Sequence, residues 1–222
     1  MVDIEANIGE VQRRIARACE RSHRSPGEIM LVAITKGTDV PAIRAAFGYG
    51  IRDFGENRVQ EAEGKISQLA DLKPAVTWHM VGHLQSNKAK SAVELFDIIQ
   101  SVDSVRLADI LNRRAQKTLP VLLEVNVSGE ATKGGFSIVE TEAAVKAIKQ
   151  SPNLKVIGLM TVAPFMADPE EVRPVFRKLR ELRDSLGLEH LSMGMTDDFE
   201  VAVEEGATML RIGRAIFGER RQ

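Results

Sequence analysis

The sequence predicts a (β/α)8 barrel with one extra helix in front of it. Eight short apolar runs punctuate the 222 residues, and longer amphipathic segments alternate with them. Several runs are apolar almost without interruption, the pattern of parallel strands covered on both faces. The rival architecture, a doubly wound open sheet, would favour a G-x-G-x-x-G turn after a strand, and the sequence has none.

The amino-terminal segment (3–22) places Ile4, Ile8, Val11, Ile15 and Ala18 at spacings of four and three, one stripe of a helix, with Cys19 beside it as a packed small side chain. The eight strands are MLVAIT (30–35), IRDFG (51–55), TWHMVG (77–82), DIIQS (97–101), PVLLEVNV (120–127), LKVIGLM (154–160), HLSMG (190–194) and TMLRIG (208–213). Among the helices, Ser137 and Glu140 have capping-box spacing. Another helix is expected over 168–186, with Asp168 as N-cap, Pro169 at its first position and Val172, Val175, Phe176, Leu179, Leu182 and Leu186 on one face. Asn57 with Gln60, and Thr196 ahead of the helix that follows it, are further capping candidates. No Pro/Gly/Ser-rich linker divides the chain, so one domain is expected over 1–222, the helix in 1–24 and the barrel in 30–218.

Composition narrows the function classes. Hydrophobic residues make up 44% and charged residues 27%, with 30 Lys plus Arg against 31 Asp plus Glu and a net charge of −1. Without a basic field, no nucleic-acid or anionic-membrane partner is expected. A lone cysteine excludes an intrachain disulfide framework and a cysteine-based zinc site. The acidic start MVDIEANIGE does not read as a signal peptide, and no apolar run approaches the ~20 residues that cross a bilayer. A cytoplasmic protein is the expectation.

In such a barrel the site lies at the C-terminal ends of the strands. Lys36 follows the first strand directly. A partly desolvated amine there can attack an aldehyde to form a Schiff base. Arg211, Gly213 and Arg214 end the eighth strand in RIGR. Gly213 lets a ligand oxygen approach the backbone, and the N–H groups of Gly213 and Arg214 open a short helix. Thr196, after the seventh strand, can offer its hydroxyl to the same anion; Asp197 and Asp198 read as first-turn acids. His79 and His83 lie in a strand pattern rather than on a helix, so no zinc site is expected. A Schiff-base lysine facing a phosphate cradle describes two chemistries: pyridoxal phosphate bound through aldehyde and phosphate, or a lysine aldolase acting on a sugar phosphate. Arg211 could donate to the pyridine nitrogen in the first.

The segments LVAITK (31–36), FGENRVQEA (54–62), WHMVGHLQSNK (78–88), EVNVSGEATKGGF (124–136), GLMTVAP (158–164) and LSMGMTDDFEVAVEEGATMLRIGRAIFG (191–218) together resemble the pyridoxal phosphate homeostasis protein family. The resemblance implies a barrel like the N-terminal domain of alanine racemase, holding pyridoxal 5′-phosphate. By motif it implies Lys36 as the Schiff-base lysine and Arg211 as the partner of the pyridine nitrogen. Thr196 and the backbone of Gly213 and Arg214 become the phosphate cradle, and Asn57 and His79 line the cofactor pocket. The family commonly has serine where this chain has Thr35 and Thr196; both hydroxyls survive.

The same reading argues against racemase activity. Two-base racemisation needs an acid/base on each face of the substrate carbon. The single tyrosine, Tyr49, precedes the second strand, at the wrong end of the barrel, and about ten residues follow the eighth strand, too few for a covering domain. The expectation is a monomeric protein that holds pyridoxal phosphate and serves vitamin B6 and amino-acid homeostasis with little or no catalysis. Its partners would be pyridoxal-phosphate-dependent apoenzymes, and a compact racemase is the alternative.

Overall fold

The computed structural model describes residues 2–130 and 132–219. Helix α1 (Ile4–Arg21) is capped by Asp3, whose carboxylate accepts from Ala6 N at 3.0 Å, and buries Ile8, Val11, Ile15, Ala18 and Cys19. The predicted stripe is therefore the packed face.

From there strands and helices alternate: β1 (Met30–Ile34), α2 (Val40–Gly48), β2 (Asp53–Glu56), α3 (Val59–Gln68), β3 (Thr77–Met80), α4 (Ala89–Leu95), β4 (Ile98–Val102) and α5 (Val105–Arg114). The second half continues with β5 (Leu119–Glu124), α6 (Ile138–Ile148), β6 (Leu154–Met160), α7 (Arg173–Ser185), β7 (His190–Ser192), α8 (Phe199–Glu204), β8 (Met209–Ile212) and α9 (Arg214–Phe217). All eight strands pair in parallel with their sequence neighbours, and β8 returns to β1 with Val32 opposite Arg211, closing the barrel. Each predicted strand overlaps an observed one.

Side-chain alternation separates two cores. Between strands and helices lies the main apolar layer, which includes Phe54, Trp78, Phe96, Phe176 and Phe199. Inside the barrel a smaller cluster of Leu122, Met160 and Met209, with Met30, Ile98 and Ile157 against it, fills the lower end. Two residues further along their strands, Gln100 follows Ile98 and Arg211 follows Met209, so the next inward-facing level is polar.

The extent of one helix and two capping expectations need correction. The helix expected over 168–186 is a 3-10 turn (Pro169–Val172) capped by Asp168, followed by α7. Pro174 in the first turn of α7 has no N–H to carry a continuous ladder backwards, so the helix restarts there. The Asn57–Gln60 box does not form: Arg58 is the N-cap of α3, without a side-chain bond. Nor does Thr196 cap α8, whose N-cap is Asp198. The Ser137–Glu140 box is present on α6.

Candidate functional site

Lys36 lies just past the C-terminal end of β1, on the inward side of the alternation that includes Val32 and Ile34. It is half-buried, and its amine has no hydrogen-bond or ion-pair partner among the described residues. The segment carrying it is pinned from behind. Thr35 donates its hydroxyl to Glu56 Oε1 at 2.6 Å, and Gly37 N donates to Glu61 Oε1 at 2.6 Å. Lys65 Nζ joins both, donating to Thr35 O (2.5 Å), Glu56 Oε1 (2.8 Å) and Glu61 Oε1 (2.6 Å). Burial pushes the Glu56 carboxyl up, against the pull of its bonds from Lys65 and Thr35. This clamp was not anticipated from sequence; its signal is the run of alternating acids and a lysine in ENRVQEAEGK.

On the adjoining strand Arg211 is 5% exposed. Its Nη1 donates to Ser192 Oγ at 2.6 Å and its Nη2 to Thr161 O at 2.7 Å. It forms no ion pair among the described residues, and burial pulls it down to about 10, with Asp198 and Glu124 opposing through space. Past it, the N–H groups of Gly213 and Arg214 have no acceptor among the described residues. A Cβ on Gly213 would stand 3.1 Å from Ile34 O, so a larger residue there would have to push the β8 end slightly away from β1. Ala215 N donates to Thr196 Oγ1 at 3.4 Å, which sets the Thr196 hydroxyl beside the same helix start. The Arg214 side chain pairs with Asp197 instead of facing inward, and Asp198 accepts from Met195 N at 2.6 Å. The two aspartates thus shape the β7 loop, in place of the dipole role expected of them.

Asn57 stands at the end of β2, half-buried, and its Oδ1 is a buried acceptor without a partner among the described residues. Gly82 presses against it: a Cβ there would fall 2.4 Å from Asn57 O. His79 is fully buried and has both ring nitrogens engaged, Nε2 with Asp53 Oδ1 at 3.0 Å and Nδ1 with Gln100 Nε2 at 2.9 Å. It is joined to the site through Gln100 and Ser192, with no ring nitrogen left for a ligand. His83 is 71% exposed on its side chain and pairs with Asp103 at 3.0 Å, so the two histidines do not converge. Gln100, Ser192 and Asp53 were missed by sequence reasoning; each is a polar residue interrupting an apolar strand.

An open cavity of about 1180 Å³ begins at Lys36, Gly213 and Arg214 and extends between α1 and α2 to Tyr49. Tyr49 is at its remote end. Asp53 is in register with Val32, so Lys36, four residues beyond Val32, lies about 13 Å further along the strand direction, and Tyr49 precedes Asp53.

Comparison with known proteins agrees with this architecture. The family model for the alanine racemase N-terminal domain matches residues 6–221. The pyridoxal phosphate homeostasis protein of Aquifex aeolicus is 45% identical over 223 residues, covering 96% of this chain and 97% of its own. A structure of PipY from Synechococcus elongatus with PLP bound superposes with a TM-score of 0.81 at 38% identity, covering 92% of this chain and all of that one (100%). The alanine racemase of Corynebacterium glutamicum shares the fold alone, with a TM-score of 0.72 at 19% identity, this chain covering 61% of it.

Proposed function

We propose, since the chain belongs to the pyridoxal phosphate homeostasis protein family, that it holds pyridoxal 5′-phosphate on Lys36 and serves vitamin B6 and amino-acid homeostasis with little or no catalysis of its own. The observation that carries the reading is the pairing of an amine at the end of β1 with two backbone N–H groups at the end of β8, all without partners among the described residues. The residues fit the cofactor. The Lys36 amine suits its aldehyde, and the N–H groups of Gly213 and Arg214 with the Thr196 hydroxyl suit its phosphate. Arg211 would donate to its pyridine nitrogen, and Asn57 offers it an amide oxygen that has no partner among the described residues. His79 supports the pocket from behind its wall.

Bound pyridoxal phosphate supplies an electron sink for carbanion chemistry, strongest when its ring nitrogen is protonated. Arg211 works against that protonation, because a guanidinium donates and cannot accept. Lys36 could move a proton on one face of a bound amino acid. For the other face, Tyr49 lies at the far end of the strands and His79 has both nitrogens engaged. These features favour holding over turnover. The whole chain, 1–222, acts as one cofactor-holding unit, a cytoplasmic monomer, and passes its cargo to pyridoxal-phosphate-dependent apoenzymes.

The loaded protein, mixed with an apo-aminotransferase, should restore that enzyme's activity while failing to invert L-alanine above the buffer rate. Sustained inversion would instead establish the compact racemase. Light scattering on the eluting peak should return the mass of one chain.

A further inference from the structure

The polar level inside the barrel is a single hydrogen-bonded chain crossing from β8 to β2. It runs from Arg211 Nη1 to Ser192 Oγ (2.6 Å), to Gln100 Oε1 (2.5 Å), then from Gln100 Nε2 to His79 Nδ1 (2.9 Å) and from His79 Nε2 to Asp53 Oδ1 (3.0 Å). Its direction is fixed by chemistry at one end. Arginine only donates, so Ser192 accepts from it and turns its own hydrogen to Gln100 Oε1. The amide must then present its NH2 to His79, which makes Nδ1 an acceptor and puts the imidazole proton on Nε2, facing Asp53. Every link donates toward the carboxylate. Ser192, Gln100 and His79 are all fully buried, so no water competes along the middle of the chain.

This arrangement meets a need of Arg211. A buried guanidinium without a touching carboxylate is costly, and its long side chain has rotamers to lose. The chain gives it a distant anion through three polarised neutral groups, and chained bonds reinforce one another. Nη1 and Nη2 are each tied down, by Ser192 and by Thr161 O, which leaves one orientation of the guanidinium plane.

We propose that Ser192, Gln100, His79 and Asp53 act as positioning residues for the cofactor, locking Arg211 in one orientation as the donor at the pyridine nitrogen. This rests on the reading of Arg211 given above. Cutting the chain leaves Lys36 and the phosphate cradle untouched but lets the guanidinium turn, so pyridoxal phosphate is held less tightly and its ring environment changes.

The test measures the release rate of pyridoxal phosphate and the visible absorption and fluorescence of the bound cofactor in single and double variants. Ser192→Ala and Gln100→Met should each speed release about tenfold, within the range of coupled contacts, and shift the bound spectrum. Ser192→Thr, which keeps the hydroxyl, should behave as wild type. In an Arg211→Met background neither cut should have further effect. Ser192→Ala removes one oxygen atom, and circular dichroism checks that it folds. Equal effects in both backgrounds, or no effect in either, overturn the positioning role. If Arg211→Met alone changes neither release nor spectrum, the assignment of Arg211 itself is wrong, which is a separate failure.

Discussion

Lys36 and Lys65 serve the same strand end in opposite ways. All three N–H groups of Lys65 are spent, on Thr35 O and on the carboxylates of Glu56 and Glu61, whereas the Lys36 amine has no partner among the described residues. That difference, more than position alone, supports the proposal of Lys36 as the nucleophile, with Lys65 as the clamp. Lys65→Met would strand the fully buried Glu56, and we expect a loss of about 2–3 kcal/mol in urea unfolding, less than a typical broken buried pair because Glu56 can take up a proton. The sign follows from the carboxyl being raised by burial: protonated Glu56 is tolerated, so the deficit should be larger at pH 8 than at pH 5. A pH-independent deficit would contradict this account of the clamp. Gly82→Ala tests the neighbouring ends of β2 and β3. Its Cβ would collide with the backbone of Asn57 at 2.4–3.0 Å, so a cost of about 1–3 kcal/mol is expected by thermal unfolding, with weaker cofactor retention.

Helix ends divide by whether the cap is local. On α6 both halves of the box are made, Ser137 accepting from Glu140 N and Glu140 accepting from Ser137 N, and Ser137→Ala should cost about 1 kcal/mol in denaturant unfolding. A change below about 0.3 kcal/mol would show the box to be idle. Asn57 and Thr196 have cap-like neighbours in sequence, yet the first leaves its amide oxygen unpaired and the second turns to α9. Spacing along the chain says that a cap is possible; tertiary neighbours decide whether the side chain is used elsewhere. Several strands were legible because their runs are apolar almost throughout, which needs only local pattern. Pro174, by contrast, was visible in the sequence, and its lack of an N–H accounts for the split between the 3-10 turn and α7.

Closure of the barrel brings together what the sequence separates. Arg211 lies opposite Val32 and reaches Ser192 and, through Gln100 and His79, Asp53 on β2. Strand period separates inward from outward positions, but it does not say which polar residues meet across the interior; that depends on strand tilt and register. Mouth positions such as Lys36 and Gly213 were legible because strand ends suffice to find them. A second long-range assembly joins the outer helices: Glu205, 4% exposed on its side chain, is reached by Arg173, Arg177 and Arg180. Burial alone would raise Glu205, but the bonds from Arg177 and Arg173 outweigh it and hold the carboxyl below its ordinary value. Its contribution is complete above about pH 4.3 and is lost as pH falls through the lowered folded-state value. Glu205→Gln should therefore cost about 2 kcal/mol at pH 6, less than a fully buried pair because the arginines are partly exposed, and the gap to wild type should narrow near pH 3. An unchanged gap in urea midpoints would remove Glu205 from the acid sensitivity of the fold. The central claim is that Lys36 carries pyridoxal phosphate, and it is tested most directly by reducing the loaded protein with borohydride and mapping the modified peptide. The account predicts a pyridoxyl group on Lys36 and a visible absorption band that Lys36→Ala lacks; a label on another lysine, or a protein that takes up no pyridoxal phosphate, would contradict it.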